Sequence, residues 1–335
     1  MSEPVRPYIG GQALIEGVMM RSPRGLSIAV RRPDGSIVVK DQPLPDEHAG
    51  LRKIPGVRGI VMLFESMALG YRALTFSAEQ QLTMEEQKQM KDGGGSSAAV
   101  LISVLLALGI FIALPQGLAT GLLSLLGIDV PVQSWQFHAL TGSFKLLVLT
   151  CYLVGISFVP DIRRVFQYHG AEHKTIFAYE ASATEPLTVE RVQAQSTLHP
   201  RCGTTFLVTV VIVSIILGSA IAPLALPDLT GWQAQLATLA LRIGLLPLIA
   251  AVSYELQRFS AKYCTRGPLR VLLYPGFLFQ KITTREPDAQ QVEVAIAAME
   301  GAVAREREGK DVGERVRTFP ELADALVAFG VTSNG

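Results

Sequence analysis

The string His169-Gly170-Ala171-Glu172-His173 sets two imidazoles four residues apart with a carboxylate between them. On an α-helix, positions i and i+4 stand one turn apart on the same face, so both rings can reach one metal ion. Glu172 projects beside them, where a carboxylate can take a proton from an attacking water. The order H-x-x-E-H is that of the inverzincin metalloproteases. Glu180 lies eleven residues past His169, three turns along, and returns to the same stripe. A second group, His199-Pro200-Arg201-Cys202-Gly203, adds an imidazole and a thiol separated by two residues. Imidazole together with thiolate suits zinc, so His199 and Cys202 read as third and fourth ligands of a divalent metal, with Glu172 as the catalytic base. The competing reading has the histidines facing lipid phosphate, beside the basic residues Arg163, Arg164 and Lys174, with Arg201 holding a phosphate at a helix start.

Three further positions could support such a site. Gln12 and Glu16 sit in a small apolar stretch bounded by glycines, Gly10-Gly11 and Gly17. A carboxylate buried there needs a partner, either a metal ion or an arginine, whereas a partly exposed loop needs none. Glu255, beside Arg258, reads more readily as a paired or snorkelling residue at a membrane boundary than as a catalytic one. His48, in an acidic Pro-rich loop, and His138 read as incidental.

The elements that must position these residues follow from where charge is missing. The chain has 335 residues, 49% apolar and 18% charged, with a net charge of +1. Its mean hydropathy is +0.33. So even a balance provides no field for nucleic acid, and no nucleic-acid partner is expected. No charged residue occurs from Gly93 to Ile128 or between Arg201 and Asp228. Two shorter runs, Leu146–Pro160 and Ile243–Tyr254, follow single basic residues, Lys145 and Arg242, at their margins. A bilayer core needs ~20 helical residues. Four spans are therefore expected, near 98–124, 142–160, 203–224 and 237–257, with Pro115 a possible kink or stop in the first. The connections 125–141 and 225–236 carry no Lys or Arg, while the first 97 residues hold twelve basic residues and the loop 161–202 holds five. The positive-inside rule then places both termini and the central loop in the cytoplasm. The first hydrophobic run begins near residue 98, so no signal peptide is expected. Three cysteines on that side or within a span are expected to be free.

The remainder reads as cytoplasmic flanks. An N-terminal α+β region, 1–92, carries a hairpin over 26–40 around Pro33-Asp34-Gly35 and an amphipathic helix over 55–77. A glycine-rich hinge, 92–97, leads into a membrane domain, 93–258. An interfacial segment, 269–282, and an amphipathic helix over 287–307 belong to a C-terminal region, 259–335. The fold class is mainly α: a four-helix polytopic membrane protein with small cytoplasmic additions.

The strings GGQALIEGVMMR, YHGAEHKTIFAYE, HPRCGTTF, SYELQRFS and PGFLFQKITTREP, in this order and spacing, resemble the YqhQ-like bacterial membrane proteins. The resemblance runs from about Pro7 to Met299 and leaves the tail after about residue 308 outside. That family is classed as a domain of unknown function and is sometimes labelled a predicted metal-dependent enzyme. The resemblance implies a multi-spanning protein of the bacterial inner membrane and carries the metal-dependent label onto His169, Glu172, His173, His199 and Cys202. Two functional classes follow. One is a membrane-embedded hydrolase opening to the cytoplasmic headgroup region and acting on a lipid-linked or membrane-proximal peptide substrate. The other is a non-catalytic scaffold or assembly factor in which the histidines are structural. A transporter fits less well, because the spans offer ionisable groups only at their margins and Cys151 is neutral.

Overall fold

The computed structural model describes residues 7–44, 54, 56–83, 86, 97–182, 185–226, 230–264, 268–308 and 313–331. His48 and residues 92–96 of the expected hinge lie outside them.

The N-terminal β-prone runs form an antiparallel meander of β1 (Gly10–Leu14), β2 (Gly17–Arg21), β3 (Gly25–Arg31) and β4 (Ile37–Pro43). The hairpin expected over 26–40 is β3 and β4, with Val30 opposite Val38. Its turn closes through Asp34, which accepts from the Ser36 N–H and hydroxyl, and Gly35 supplies the positive φ of 89°. The stretch around Gln12 and Glu16 forms a second hairpin, β1–β2, with Glu16 itself in the turn at φ 52°. A fifth strand, β5 (Arg315–Phe319), pairs with β4.

Strands covered on both faces read as continuous apolar runs, and β2 and β3 do so here. One face presents Val18, Met20, Ala29, Ile37 and Val39 to the helix Ala289–Glu308 and to Tyr168, Ala171 and Ile176 of the helix Pro160–Ala181. The other face presents Leu14, Met19, Leu26 and Ile28 to Ala73, Leu69 and Phe76 of the helix Val57–Gln80. The two flanks, separate regions in the sequence reading, thus build one layered unit. Asp41 of β4 is fully buried and ties it together through Arg305, Arg315 and Arg317.

The apolar runs form the other layer. The first runs from Ser97–Leu108 through a π-helical turn at Gly109–Ala113 into Leu114–Leu125. Pro115 has no N–H to donate, and the wider turn absorbs that loss without ending the helix. The second helix is Trp135–Ile156, beginning earlier than the expected 142 because Ser134 caps it by accepting from the Phe137 N–H. It stops before Pro160, which starts a new helix, so the histidine string lies on a separate helix rather than on a continuation of the span. The third, Gly203–Ala225, lies where it is expected. The fourth is broken into Gly231–Gly244 and Leu246–Tyr263, bent by 47°. Among the described residues, three helices are therefore long and apolar enough to cross a membrane, and the bent pair would make a fourth. Lys145 and Arg242 fall inside these helices rather than at their margins, and His138, read as incidental, is buried.

Candidate metal centre

The helix Pro160–Ala181 packs against the sheet unit, and Cys202 occupies the position just before the apolar helix Gly203–Ala225. Their meeting brings His169, His173 and Cys202 together, with one ligand atom from each lying within 4.8 Å of the others. The two rings stand 4.4 Å apart between centroids, as one helical turn requires.

Each ring is oriented by a backbone carbonyl. His169 Nδ1 meets the Thr283 carbonyl at 2.8 Å and His173 Nδ1 meets the Thr197 carbonyl at 2.5 Å. A carbonyl only accepts, so the Nδ1 atoms carry the protons and both Nε2 lone pairs are left for the cluster. His173 Nε2 is buried without a hydrogen-bond partner among the described residues. His169 Nε2 lies 3.1 Å from Cys202 Sγ, which also faces Thr204 Oγ1 at 3.1 Å and accepts from the Thr204 N–H at 3.4 Å. The sulfur thus sits at the N-terminus of the helix Gly203–Ala225, facing His169 Nε2.

The segment carrying Thr283 reaches His169 because residue 170 is glycine. A Cβ there would overlap the Arg285 carbonyl oxygen, and Arg285 N–H donates to the Phe166 carbonyl at 2.9 Å. Gly170→Ala is accordingly expected to separate these segments at a cost of ~1–3 kcal/mol. Denaturant unfolding of the detergent-solubilised protein checks this; an unchanged midpoint would remove the close-approach argument.

His199 joins the group differently. Its backbone is pinned by the fully buried Gln280, which accepts from His199 N–H and donates to the His199 carbonyl, each at 2.8 Å. Its ring lies 5.5 Å from that of His173, but its Nδ1 accepts from the Arg201 N–H at 3.4 Å. The tautomer is thus opposite to that of His169 and His173, and its Nε2 N–H is buried without a hydrogen-bond partner among the described residues, with the Glu180 carboxylate 4.0 Å away. Burial, followed by the fields of His173 and Arg201, pushes its pKa down to about 2, so the ring is neutral.

Glu172 is buried against β1: a Cβ on Gly11 would stand 2.6 Å from Glu172 Cγ. Desolvation raises its carboxyl to about 7, against a smaller opposing effect of His169. The remaining predicted residues lie around the cluster or away from it. Arg201 pairs with Glu180 and covers the Tyr8 ring at 4.6 Å, beside His199. Glu16 takes the arginine alternative, held by Arg164 and by Tyr168 Oη at 3.2 Å. Gln12 faces the opposite side of β1, against Gly70 of the helix Val57–Gln80. Glu255 lies midway along the helix Leu246–Tyr263, paired with Arg58 at 2.7 Å. The residues missed by the sequence reading are Gln280, Thr197 and Thr283, two of which act through carbonyls and leave no side-chain signal.

An apolar helical layer joined to a two-faced sheet unit, with a His/His/Cys cluster at their junction, is the class of protein that fold and site define. The chain belongs to the family described as "Protein of unknown function (DUF1385)", which matches residues 54–305. It is 36% identical over 309 residues to "Uncharacterized protein YqhQ" of Bacillus subtilis (strain 168), an alignment covering 87% of this chain and 91% of that protein. The expected YqhQ-like membership is thereby established. No solved structure matches the chain.

Proposed function

We propose that this chain is a zinc-dependent hydrolase of the bacterial inner membrane, with four spans and its site at the cytoplasmic face. The observation that carries the reading is the convergence of two Nε2 lone pairs and one Sγ, with both Nδ1 atoms fixed on carbonyls. Imidazole and thiolate donors oriented from behind are the set that zinc takes, and the orphaned His173 Nε2 fits that role. A bound zinc ion supplies a Lewis acid that polarises a carbonyl or phosphoryl oxygen and makes water acidic near neutral pH. His169, His173 and Cys202 bind it. Glu172 accepts the proton of the attacking water, its burial keeping the carboxyl close to the working pH. His199, Arg201 and Glu180 form a polar flank where a substrate carbonyl or phosphate can be oriented.

Cys202 leads directly into an apolar helix, so the site opens at headgroup depth and favours a lipid-linked or membrane-proximal peptide substrate. The exposed stripe Phe64, Met67, Tyr71 and Leu74 on the helix Val57–Gln80, together with Leu269, Val271, Leu272 and Tyr274, supports a surface lying on the bilayer. The distribution of basic residues favours cytoplasmic termini.

Glu172→Gln is expected to lower hydrolysis ~10²–10⁴-fold while zinc content stays unchanged. Mass spectrometry of lipids and peptides from membranes carrying wild type or E172Q would reveal products present only with the wild type. Equal product profiles, with E172Q sustaining cellular function, would support the non-catalytic scaffold instead.

A further inference from the structure

Within the apolar helices a second polar group is gathered that the candidate metal centre does not use. Arg242 and His138 are only 7% and 3% exposed, and Arg242 Nη2 meets His138 Nδ1 at 3.3 Å. Lys145, two turns along from His138, donates to Ser214 Oγ at 3.2 Å. Because His138 Nδ1 accepts from the guanidinium, its proton is on Nε2. Among the described residues, that buried N–H has no hydrogen-bond partner, and neither has Arg242 Nη1. Among the described residues, no carboxylate pairs with any of the three. Gly218 makes the room, since a Cβ there would lie 3.2 Å from His138 Nδ1.

The position is distinct from the His/His/Cys cluster. Ser214 is twelve residues past Cys202, about 18 Å along the helix. Arg242 precedes by three residues the break at Leu245, where the last apolar pair bends by 47°. Broken helices at mid-depth commonly carry binding sites, and buried ionisable groups in such layers mark functional positions.

The chemistry of the occupant follows from what is unsatisfied. Two cationic side chains and a neutral imidazole present donors, while nothing described offers them a negative partner. Leaving such charges unpaired in an apolar layer is costly. The ligand must therefore bring negative charge and several acceptor oxygens. A carboxylate satisfies one guanidinium fork in a plane, whereas a phosphate group offers tetrahedral oxygens to donors arriving from different helices. We propose that His138, Lys145 and Arg242 form an oxyanion site for a phosphate group, supplied by an anionic phospholipid headgroup or by a free phosphate.

The test uses the full chain in uncharged detergent and in nanodiscs. The thermal midpoint is followed with potassium phosphate against potassium chloride at matched ionic strength, and with phosphatidylglycerol against phosphatidylcholine alone. Saturable stabilisation by a few degrees is expected from one source. Phosphate acting in detergent identifies a free anion, and phosphatidylglycerol acting alone identifies a headgroup. Arg242→Gln is expected to abolish the shift, and Lys145→Gln to weaken the half-saturation point roughly tenfold. If R242Q does not fold, K145Q and the wild-type titration decide. Absence of any shift beyond chloride and phosphatidylcholine, or an equal shift in the variants, would overturn the site.

Discussion

Changing His169 and His173 together to alanine is expected to abolish stoichiometric zinc binding while the chain remains folded in the membrane. Each ring contributes one Nε2 whose direction is set by a carbonyl behind it, Thr283 for one and Thr197 for the other. Loss of such a supporting partner alone costs ~10–100-fold in affinity at metal sites, and loss of the ligand itself costs more. The double variant leaves only Cys202 of the clustered donors. His199→Ala supplies the control. Its Nδ1 is engaged by the Arg201 N–H, which puts the proton on Nε2, and its ring lies outside the group of three clustered ligand atoms, so this variant is expected to keep its zinc. Competition with a zinc chelator, with far-ultraviolet circular dichroism as the folding check, separates the two. Zinc lost from H199A but kept by H169A/H173A would place the centre elsewhere.

Asp41→Ala is expected to be the most destabilising change in the sheet unit, at ~3–5 kcal/mol. Asp41 and Arg305 are both fully buried and lie 3.5 Å apart, while Arg315 and Arg317 reach the same carboxylate at 2.8 and 3.0 Å. Removing the carboxylate that all three arginines share leaves the buried Arg305, together with Arg315, to the partly exposed Glu308, and takes from Arg317 its anion on β4. The expected result is release of β5 from β4, read as lost hydrogen-exchange protection at Val38–Asp41 and Arg315–Phe319, with a lowered denaturant midpoint. Asp34→Ala, in the exposed turn of the same β3–β4 hairpin, should cost far less.

Local patterns carry much of this fold in the sequence. The uncharged run after Arg201 becomes the helix Gly203–Ala225, and Pro33-Asp34-Gly35 becomes the β3–β4 turn. The amphipathic stretches over 55–77 and 287–307 become Val57–Gln80 and Ala289–Glu308. What depends on distant partners leaves no local pattern. β5 is five residues long, and its pairing strand lies at the other end of the chain. Lys145 reads as the edge of an apolar run because its partner, Ser214, lies on another helix. The same holds at the site. The H-x-x-E-H spacing announces His169 and His173, whereas the turn holding Cys202 gains its meaning only when Gln280 and Thr283 arrive from the C-terminal side. For Glu16, either a metal or an arginine would satisfy its charge, and only packing shows that Arg164 does.

The most direct test of the proposed centre is elemental analysis of the wild-type protein purified from bacterial membranes without chelators. One zinc ion per chain, absent from the H169A/H173A variant prepared in parallel, is the expected result. Folded wild-type protein that contains no stoichiometric transition metal, and takes up none when zinc is supplied, would contradict it.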